Sequence, residues 1–391
     1  MLKTDRFNSL ERRETPFYYY DLDLLRETLE EAARAAEPYG FHIHYALKAN
    51  AEERILRAMS AAGFGADCVS GPEVQRAAEC GFDPKGIMFA GVGKTDREIR
   101  EALAVGIGCF NVESIPELEN IANIAAEAGV KAPIAIRVNP NIDAHTHKYV
   151  TTGLEENKFG ISEFELDLAI GIIKTSPSLD FRGIQFHIGS QIIDVEEVFA
   201  TECERADYFV DYFESRGLRV SSIDLGGGLG IDYHDPDSQP VPEFARWFKV
   251  IDEHLKRRPD QQVHFEPGRC LVAQCGSLIT RIVYVKVGQT RRFAITDAGM
   301  NDLIRPALYG SYHKIENLSA AYLRGNEDPV LTYDVVGPVC ESSDTWGTDR
   351  ELPMTRRGDL LAIRSAGAYG ATMASNYNLR PFAGVVYSDE S

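Results

Sequence analysis

Tyr45, Asp67, Phe89 and Asn111 are each 22 residues apart, and each lies in a short apolar, strand-like run. Helical patterns fill the gaps at 52–62, 72–80, 95–105 and 115–128, several opened by Pro or Thr and closed by Gly. Strands that alternate with helices at this spacing build βα units of a parallel sheet. The strand candidates are 41–46, 66–70, 87–90, 109–112, 134–139, 183–187, 221–225 and 263–266, with later units lengthened by insertions around 141–161 and 232–242. Eight βα units in about 250 residues match a closed (β/α)8 barrel, while an open doubly wound sheet stays possible by count alone. Polar residues or glycines gather just after the strands: Lys48, Asp67 with Ser70, Asn111 with Glu113, Arg137 with Asn139, His187 with Ser190, Gly226 to Gly228, and Glu266 with Arg269. In a barrel those ends converge on one face, where active sites form.

From Cys270 onward the rhythm changes. Strand-like runs at 277–286, 292–296, 330–336, 359–363 and 383–387 follow one another without long helices. The expectation is a mostly β second domain, with the run 17–20, ahead of a first helix at 22–36, added to it as a strand. The expected domains are therefore a barrel at 26–270 and a β domain at 271–391 joined by residues 1–25. A chain of 391 residues has the length for two such cores.

A formal charge of −18 argues against nucleic acid or an anionic membrane as partner. The N-terminal stretch carries charges throughout and shows no secretory signal, and no apolar run has the length of a membrane span. The seven cysteines are scattered without a Cys-x-x-Cys pair, which fits a reducing cytoplasm better than a disulfide framework or a zinc knuckle.

Lys48 ends the first strand. A desolvated lysine loses its proton more easily and can add to an aldehyde as a Schiff base; the plainer alternative is a solvated strand cap. The run Gly226-Gly227-Gly228-Leu229-Gly230 could bring backbone N–H groups to a phosphate, with Ser190 adding a hydroxyl, or could serve as a tight turn. It is neither a dinucleotide fingerprint nor a Walker sequence. Glu266 could hold a ring nitrogen protonated, or pair with Arg269 at the rim. His187 could stack on a ring or move a proton, or be structural. His42 with His44, and His145 with His147, suggest a metal only weakly, because no carboxylate or cysteine stands at suitable spacing. No metal is expected.

Lys48, His187, the glycine run and Glu266 in this order resemble the fold-type III pyridoxal-phosphate enzymes, an alanine racemase-like barrel with a β domain. The stretch Asp297-Ala298-Gly299-Met300-Asn301-Asp302-Leu303-Ile304-Arg305-Pro306-Ala307-Leu308-Tyr309 is similar to that of diaminopimelate decarboxylases. So are Gly337-Pro338-Val339-Cys340-Glu341-Ser342, Ala366-Gly367-Ala368-Tyr369-Gly370, and Asn376-Tyr377-Asn378 with Arg380-Pro381. The resemblance implies pyridoxal 5'-phosphate on Lys48, with Glu266 at the pyridine nitrogen and His187 against the ring. It implies that Ser190, Gly227, Gly228, the backbone around Pro267 and Gly268, and the Tyr369 hydroxyl hold the phosphate. Arg269, Arg305 and Tyr309 would grip a distal carboxylate of meso-diaminopimelate, and Glu341 its ammonium, with Tyr369 beside them. Cys340 would protonate the carbon left by CO2, after its electrons have spread into a quinonoid. Cys340 and Glu341 would serve a partner subunit's site, so a homodimer with shared sites is implied.

The implied activity is decarboxylation of meso-diaminopimelate to L-lysine. The nearest rival is a sister decarboxylase of ornithine, arginine or a carboxylated polyamine, whose substrates lack the distal amino-acid head. A racemase would need a second base, for which Cys340 could be mistaken, and a non-catalytic cofactor carrier would not need the β domain. Two departures stand out: no basic tail follows Ser391, and Pro72 follows Gly71 where relatives often have a second glycine.

Overall fold

The computed structural model describes residues 4–140, 158–325 and 327–390, so His145 and His147 lie outside the described residues. The chain divides into two compact units, one of residues 29–230 and 243–268, the other of 1–28, 231–242 and 269–391. The segment Ile231–Pro242, which the sequence places within the barrel range 26–270, thus groups with the second of these.

After β1 (Phe17–Tyr20), the first unit is a closed parallel barrel of β2 (His42–Ala46), β3 (Gly65–Cys68), β4 (Ile87–Phe89), β5 (Cys109–Val112), β6 (Ala132–Arg137), β7 (Leu179–Gln185), β8 (Ser222–Asp224) and β9 (Gln262–Phe265). All eight expected strands are present, and the open sheet is excluded because β9 returns to β2, with His42 opposite His264 and Ile43 opposite Phe265. The strands are short because each needs only three to seven residues to cross the barrel wall. Each leads into a helix, and the side chain that ends one element often starts the next. Ser70 and Ser114 accept from the backbone N–H of Glu73 and Glu117, and Thr95 forms a reciprocal capping box with Glu98. Glu98 also accepts from Gly71 N, which ties two successive units together.

At the mouth, Lys94 is buried and fully satisfied. Its ammonium donates to Gly91 O (2.9 Å), Asn111 O (2.8 Å) and Glu117 Oε1 (2.6 Å). Glu117 Oε2 accepts from Glu113 N, so one ion pair fixes the loops after β4 and β5. His44 of β2 is likewise held on both ring nitrogens, at Gly86 O and His264 Nδ1, each 2.9 Å away. Burial pushes its pKa down to about 4, so it stays neutral in that chain.

In the other unit, β12 (Ile315–Asn317), β15 (Leu360–Ile363), β10 (Gly276–Val287), β11 (Arg292–Thr296), β13 (Val330–Val336) and β14 (Thr345–Pro353) lie in that order in one sheet. β1 pairs antiparallel with β10 and parallel with β16 (Gly384–Tyr387), which makes 17–20 the added strand expected from sequence. Strands β12 and β14 were not among the expected runs. Phe7, Leu10, Phe17, Tyr19, Ile279, Leu318, Leu360 and Val386 form one of this unit's cores. No helix among the described residues is long and apolar enough to cross a membrane.

Replacing Glu117 by Ala strands the buried Lys94 ammonium, so stability should fall by about 3 kcal/mol or more. Lys94→Met, which removes the charge and keeps the bulk, should cost clearly less. Urea unfolding of both variants checks this, and equal losses would mean that the cation is hydrated rather than buried.

Candidate active site

Most of the strand-end positions flagged in the sequence of the barrel make defined contacts. Lys48 lies on a single 3-10 turn (Leu47–Ala49) directly after β2, and its Nζ is 3.0 Å from Asp67 Oδ2 at the end of β3. It is neither buried in the wall nor a free surface cap: its side chain is about one-third exposed while that of Asp67 is wholly buried. Asp67 Oδ1 has no hydrogen-bond partner among the described residues. Across the mouth, Arg137 Nη1 donates to Glu113 Oε1 (2.9 Å), and Gly91 N donates to the same oxygen (2.6 Å).

Glu266 follows β9 and is buried. Its two oxygens accept from neutral amides, Oε1 from Asn111 Nδ2 (3.1 Å) and Oε2 from Gln185 Nε2 (2.9 Å). Burial raises its pKa well above the usual carboxylate range, with Asp224 and Asp67 adding to the effect and Lys48 and Arg137 opposing it. Asp224 of β8 is buried too; its Oδ1 accepts from Gly226 N (2.9 Å), and burial pushes its pKa up to about 7. Gln185 and Asp224 are opposite one another in the register of β7 and β8.

The glycine run packs against the backbone of Glu266 and Pro267. A Cβ on Gly227 would come within 2.3 Å of Glu266 O, and Gly228 has φ +116°, a conformation that side chains disfavour. The run is therefore a tight turn packed against neighbouring backbone. His187 and Ser190 lie beyond the end of β7 rather than in it, both partly exposed. Gly227 N donates to His187 Nδ1 at 3.4 Å, and burial followed by the Lys48 and Arg137 charges lowers the His187 pKa well below its ordinary value.

In the β unit, Arg269 and Arg305 meet at one phenol. Both donate through Nη1 to Tyr233 Oη, at 2.7 and 2.8 Å, and all three side chains are buried. Arg305 also reaches His313 Nε2 (3.2 Å) and Ser311 Oγ (3.3 Å), and forms no ion pair with a carboxylate among the described residues. The Arg269 guanidinium lies 5.0 Å from the ring of Tyr369, whose backbone is left-handed (φ 55°). Tyr309 closes the short helix Arg305–Tyr309. Cys340 and Glu341 sit on an exposed turn, where Glu341 accepts from Ser343 Oγ (2.8 Å). Asp344 fixes this turn by accepting from Met300 N and Val339 N, each at 2.7 Å, and so joins two of the sequence motifs. Sequence reasoning missed Gln185, Asp224, Tyr233 and His313. A polar residue inside a strand was the available signal for the first two.

A barrel whose mouth offers a lysine, bare glycine backbone and a buried carboxyl of high proton affinity fits an aldehyde cofactor with a phosphate and a basic ring nitrogen. The comparisons give the class: residues 22–273 match the family described as pyridoxal-dependent decarboxylase, pyridoxal binding domain. The chain is 50% identical over 387 residues to the diaminopimelate decarboxylase of Bacteroides thetaiotaomicron, covering 99% of this chain and 98% of that one. It is 42% identical over 375 residues to that of Vibrio cholerae, covering 96% and 88%. A crystal structure of the Helicobacter pylori diaminopimelate decarboxylase complexed with L-lysine superposes with a TM-score of 0.91 at 40% identity, covering 98% of this chain and 94% of that one. The chain belongs to the diaminopimelate decarboxylase family.

The raised pKa of Asp224 has a stability consequence. The folded chain holds a proton there up to about pH 7, whereas an unfolded aspartate releases it near pH 4, so raising the pH between these values weakens the fold. Asp224→Asn keeps the acceptor for Gly226 and removes the titration. The cofactor-free variant should match the parent near pH 4 and exceed it progressively up to pH 8, by at most about 4 kcal/mol. A stability difference that does not grow with pH would show that Asp224 ionises normally.

Proposed function

We propose that this chain decarboxylates meso-2,6-diaminopimelate to L-lysine and CO2, the closing step of lysine biosynthesis. The observation that carries the reading is the meeting of two buried guanidiniums at Tyr233, one of them without a carboxylate among the described residues. Forked donors of this kind suit a carboxylate. The family's named substrate has such a group on its distal carbon.

The roles follow residue by residue. Lys48 Nζ would bond the cofactor aldehyde, while Asp67 orients that amine. Ser190, the backbone of Gly227, Gly228, Pro267 and Gly268, and the Tyr369 hydroxyl would hold the phosphate, with the His187 ring against the pyridine. When bound, pyridoxal phosphate supplies the sink for the electron pair left as CO2 departs. Glu266 would pair with the ring nitrogen and hold the proton there, while Asn111 and Gln185 fix both of its oxygens. Arg269, Arg305 and Tyr309 would take the distal carboxylate, and Glu341 the distal ammonium. Cys340 Sγ would give a proton to the carbon that has lost CO2. Arg269 follows Glu266 by three residues and Tyr233 follows Gly228 by five, so the chain itself links the two sets.

Cys340 and Glu341 are exposed, which supports a homodimer in which each copy lends them to the other's site. Seven free cysteines suit a reducing cytoplasm.

Substrate choice tests the assignment. A ligand without the distal carboxylate would leave buried guanidiniums uncompensated at a cost of several kcal/mol, so kcat/KM for meso-diaminopimelate should exceed that for L-ornithine, L-arginine or L-lysine by roughly a thousandfold. Comparable turnover of ornithine or arginine would make the chain a sister decarboxylase instead. The shared site has its own test. Lys48→Ala and Cys340→Ala proteins, each inactive, should regain about a quarter of wild-type activity once mixed and exchanged, because each heterodimer holds one intact site. No recovery after demonstrated exchange would return Cys340 to its own chain's site.

A further inference from the structure

Tyr233 belongs to none of the sequence motifs above, yet it is the atom on which Arg269 and Arg305 converge. A phenol oxygen has two lone pairs and one hydrogen. Here both lone pairs are occupied, by Arg269 Nη1 at 2.7 Å and Arg305 Nη1 at 2.8 Å. The hydroxyl hydrogen has no acceptor among the described residues, although the ring is buried. Its surroundings hold it in place. The His313 ring meets it edge-on at 5.1 Å, and the Arg305 guanidinium lies 4.9 Å from its ring centroid. His313 in turn accepts from Arg305 through Nε2 and donates from Nδ1 to Arg364 O (2.8 Å), a neutral ring whose pKa burial pushes down to about 3. Arg305 is therefore fixed through one nitrogen, Nη1, whose two hydrogens go to His313 and Tyr233. Two like charges brought to one oxygen repel, and an acceptor between them is what makes the pair tolerable.

We infer that Tyr233 is a specificity-determining residue of this enzyme: it aligns the two guanidiniums and offers its own O–H as a further donor to the substrate's distal carboxylate. This rests on the decarboxylase reading above, and the same geometry would serve any carboxylate of an amino-acid head. Without the hydroxyl, the guanidiniums lose their common acceptor and the carboxylate loses a donor, while the barrel groups that would hold the cofactor are untouched.

The test is Tyr233→Phe in the cofactor-loaded enzyme. The probes are meso-diaminopimelate as substrate and two competitive inhibitors, L-lysine, which has the amino-acid head, and 1,5-diaminopentane, which lacks only its carboxylate. Loss of a charge-assisted hydrogen bond predicts that KM for meso-diaminopimelate and Ki for L-lysine each rise roughly tenfold to a hundredfold. The Ki for 1,5-diaminopentane and the visible absorbance of the bound cofactor should not change, and kcat should stay within about threefold. KM and L-lysine Ki within twofold of wild type would overturn the inference, as would equal weakening of both inhibitors, which marks general damage. Should Tyr233→Phe not fold, Tyr233→His, which keeps an acceptor nitrogen, must still weaken L-lysine selectively. If the wild-type protein does not turn over meso-diaminopimelate, the functional reading fails. Binding of L-lysine against 1,5-diaminopentane by calorimetry then still decides the role of Tyr233.

Discussion

Closure of the parallel barrel at β9 is the constraint from which the rest of the site follows. The end of β9 is stitched on both sides, with Glu266 N donating to Gly226 O (2.6 Å) and Ala46 N to Pro267 O (3.1 Å). Strand ends that converge so closely leave no space for a side chain at Gly227. They also carry Glu266 out of water. A carboxyl in that position binds its proton more tightly, and the protein offsets the loss of hydration with two amides rather than with a cation. Had Arg269 paired with it, as one reading of the sequence allowed, the guanidinium would match its charge and lower its affinity for a proton shared with a ring nitrogen. Arg269 instead spends a donor on Tyr233.

The charges around the mouth are sorted by task. Lys94 with Glu117 and Arg137 with Glu113 are structural pairs, buried and mutually satisfied, and they hold the loops after β4, β5 and β6 in register. Lys48 differs because its partner is buried while it remains partly open to solvent, so the amine can be oriented without being consumed by the pairing. The β unit repeats the logic with opposite sign, gathering cations around a neutral imidazole and a phenol whose pKa the two guanidiniums lower against the effect of burial.

Much of this was readable in advance, for definite reasons. The 22-residue spacing of Tyr45, Asp67, Phe89 and Asn111 exposed the barrel because each unit repeats the same physical problem, a buried strand capped into a helix. Strand-end polar residues exposed the mouth for the same reason. The second unit was harder to read. Both strands that escaped notice, β12 and β14, lie at the edges of their sheet, where polar side chains such as Asp349, Arg350 and Glu351 blunt the unpaired backbone and erase the alternating pattern. Asn111 and Gln185 were unreadable as partners of Glu266 because their separations in sequence, 155 and 81 residues, carry no local signal. Tyr233 was hidden differently: it stands in a segment that looked like a barrel insertion and packs with the other unit.

The pairing of β1 with β16 governs the order in which the chain can take shape as it is made. Phe17 pairs with Gly384, so the first strand meets its parallel neighbour only after roughly 370 further residues have been synthesised. At ribosomal rates that delay is roughly 20 to 70 seconds. Every strand of the barrel is complete by Phe265, well before then. The cofactor-holding half can therefore assemble on the ribosome while Phe17 to Tyr20, four apolar residues with strong β preference, wait unpaired. Once β10 emerges it covers one edge of this strand, and until β16 follows the other edge stays open to wrong pairing and is a target for a chaperone.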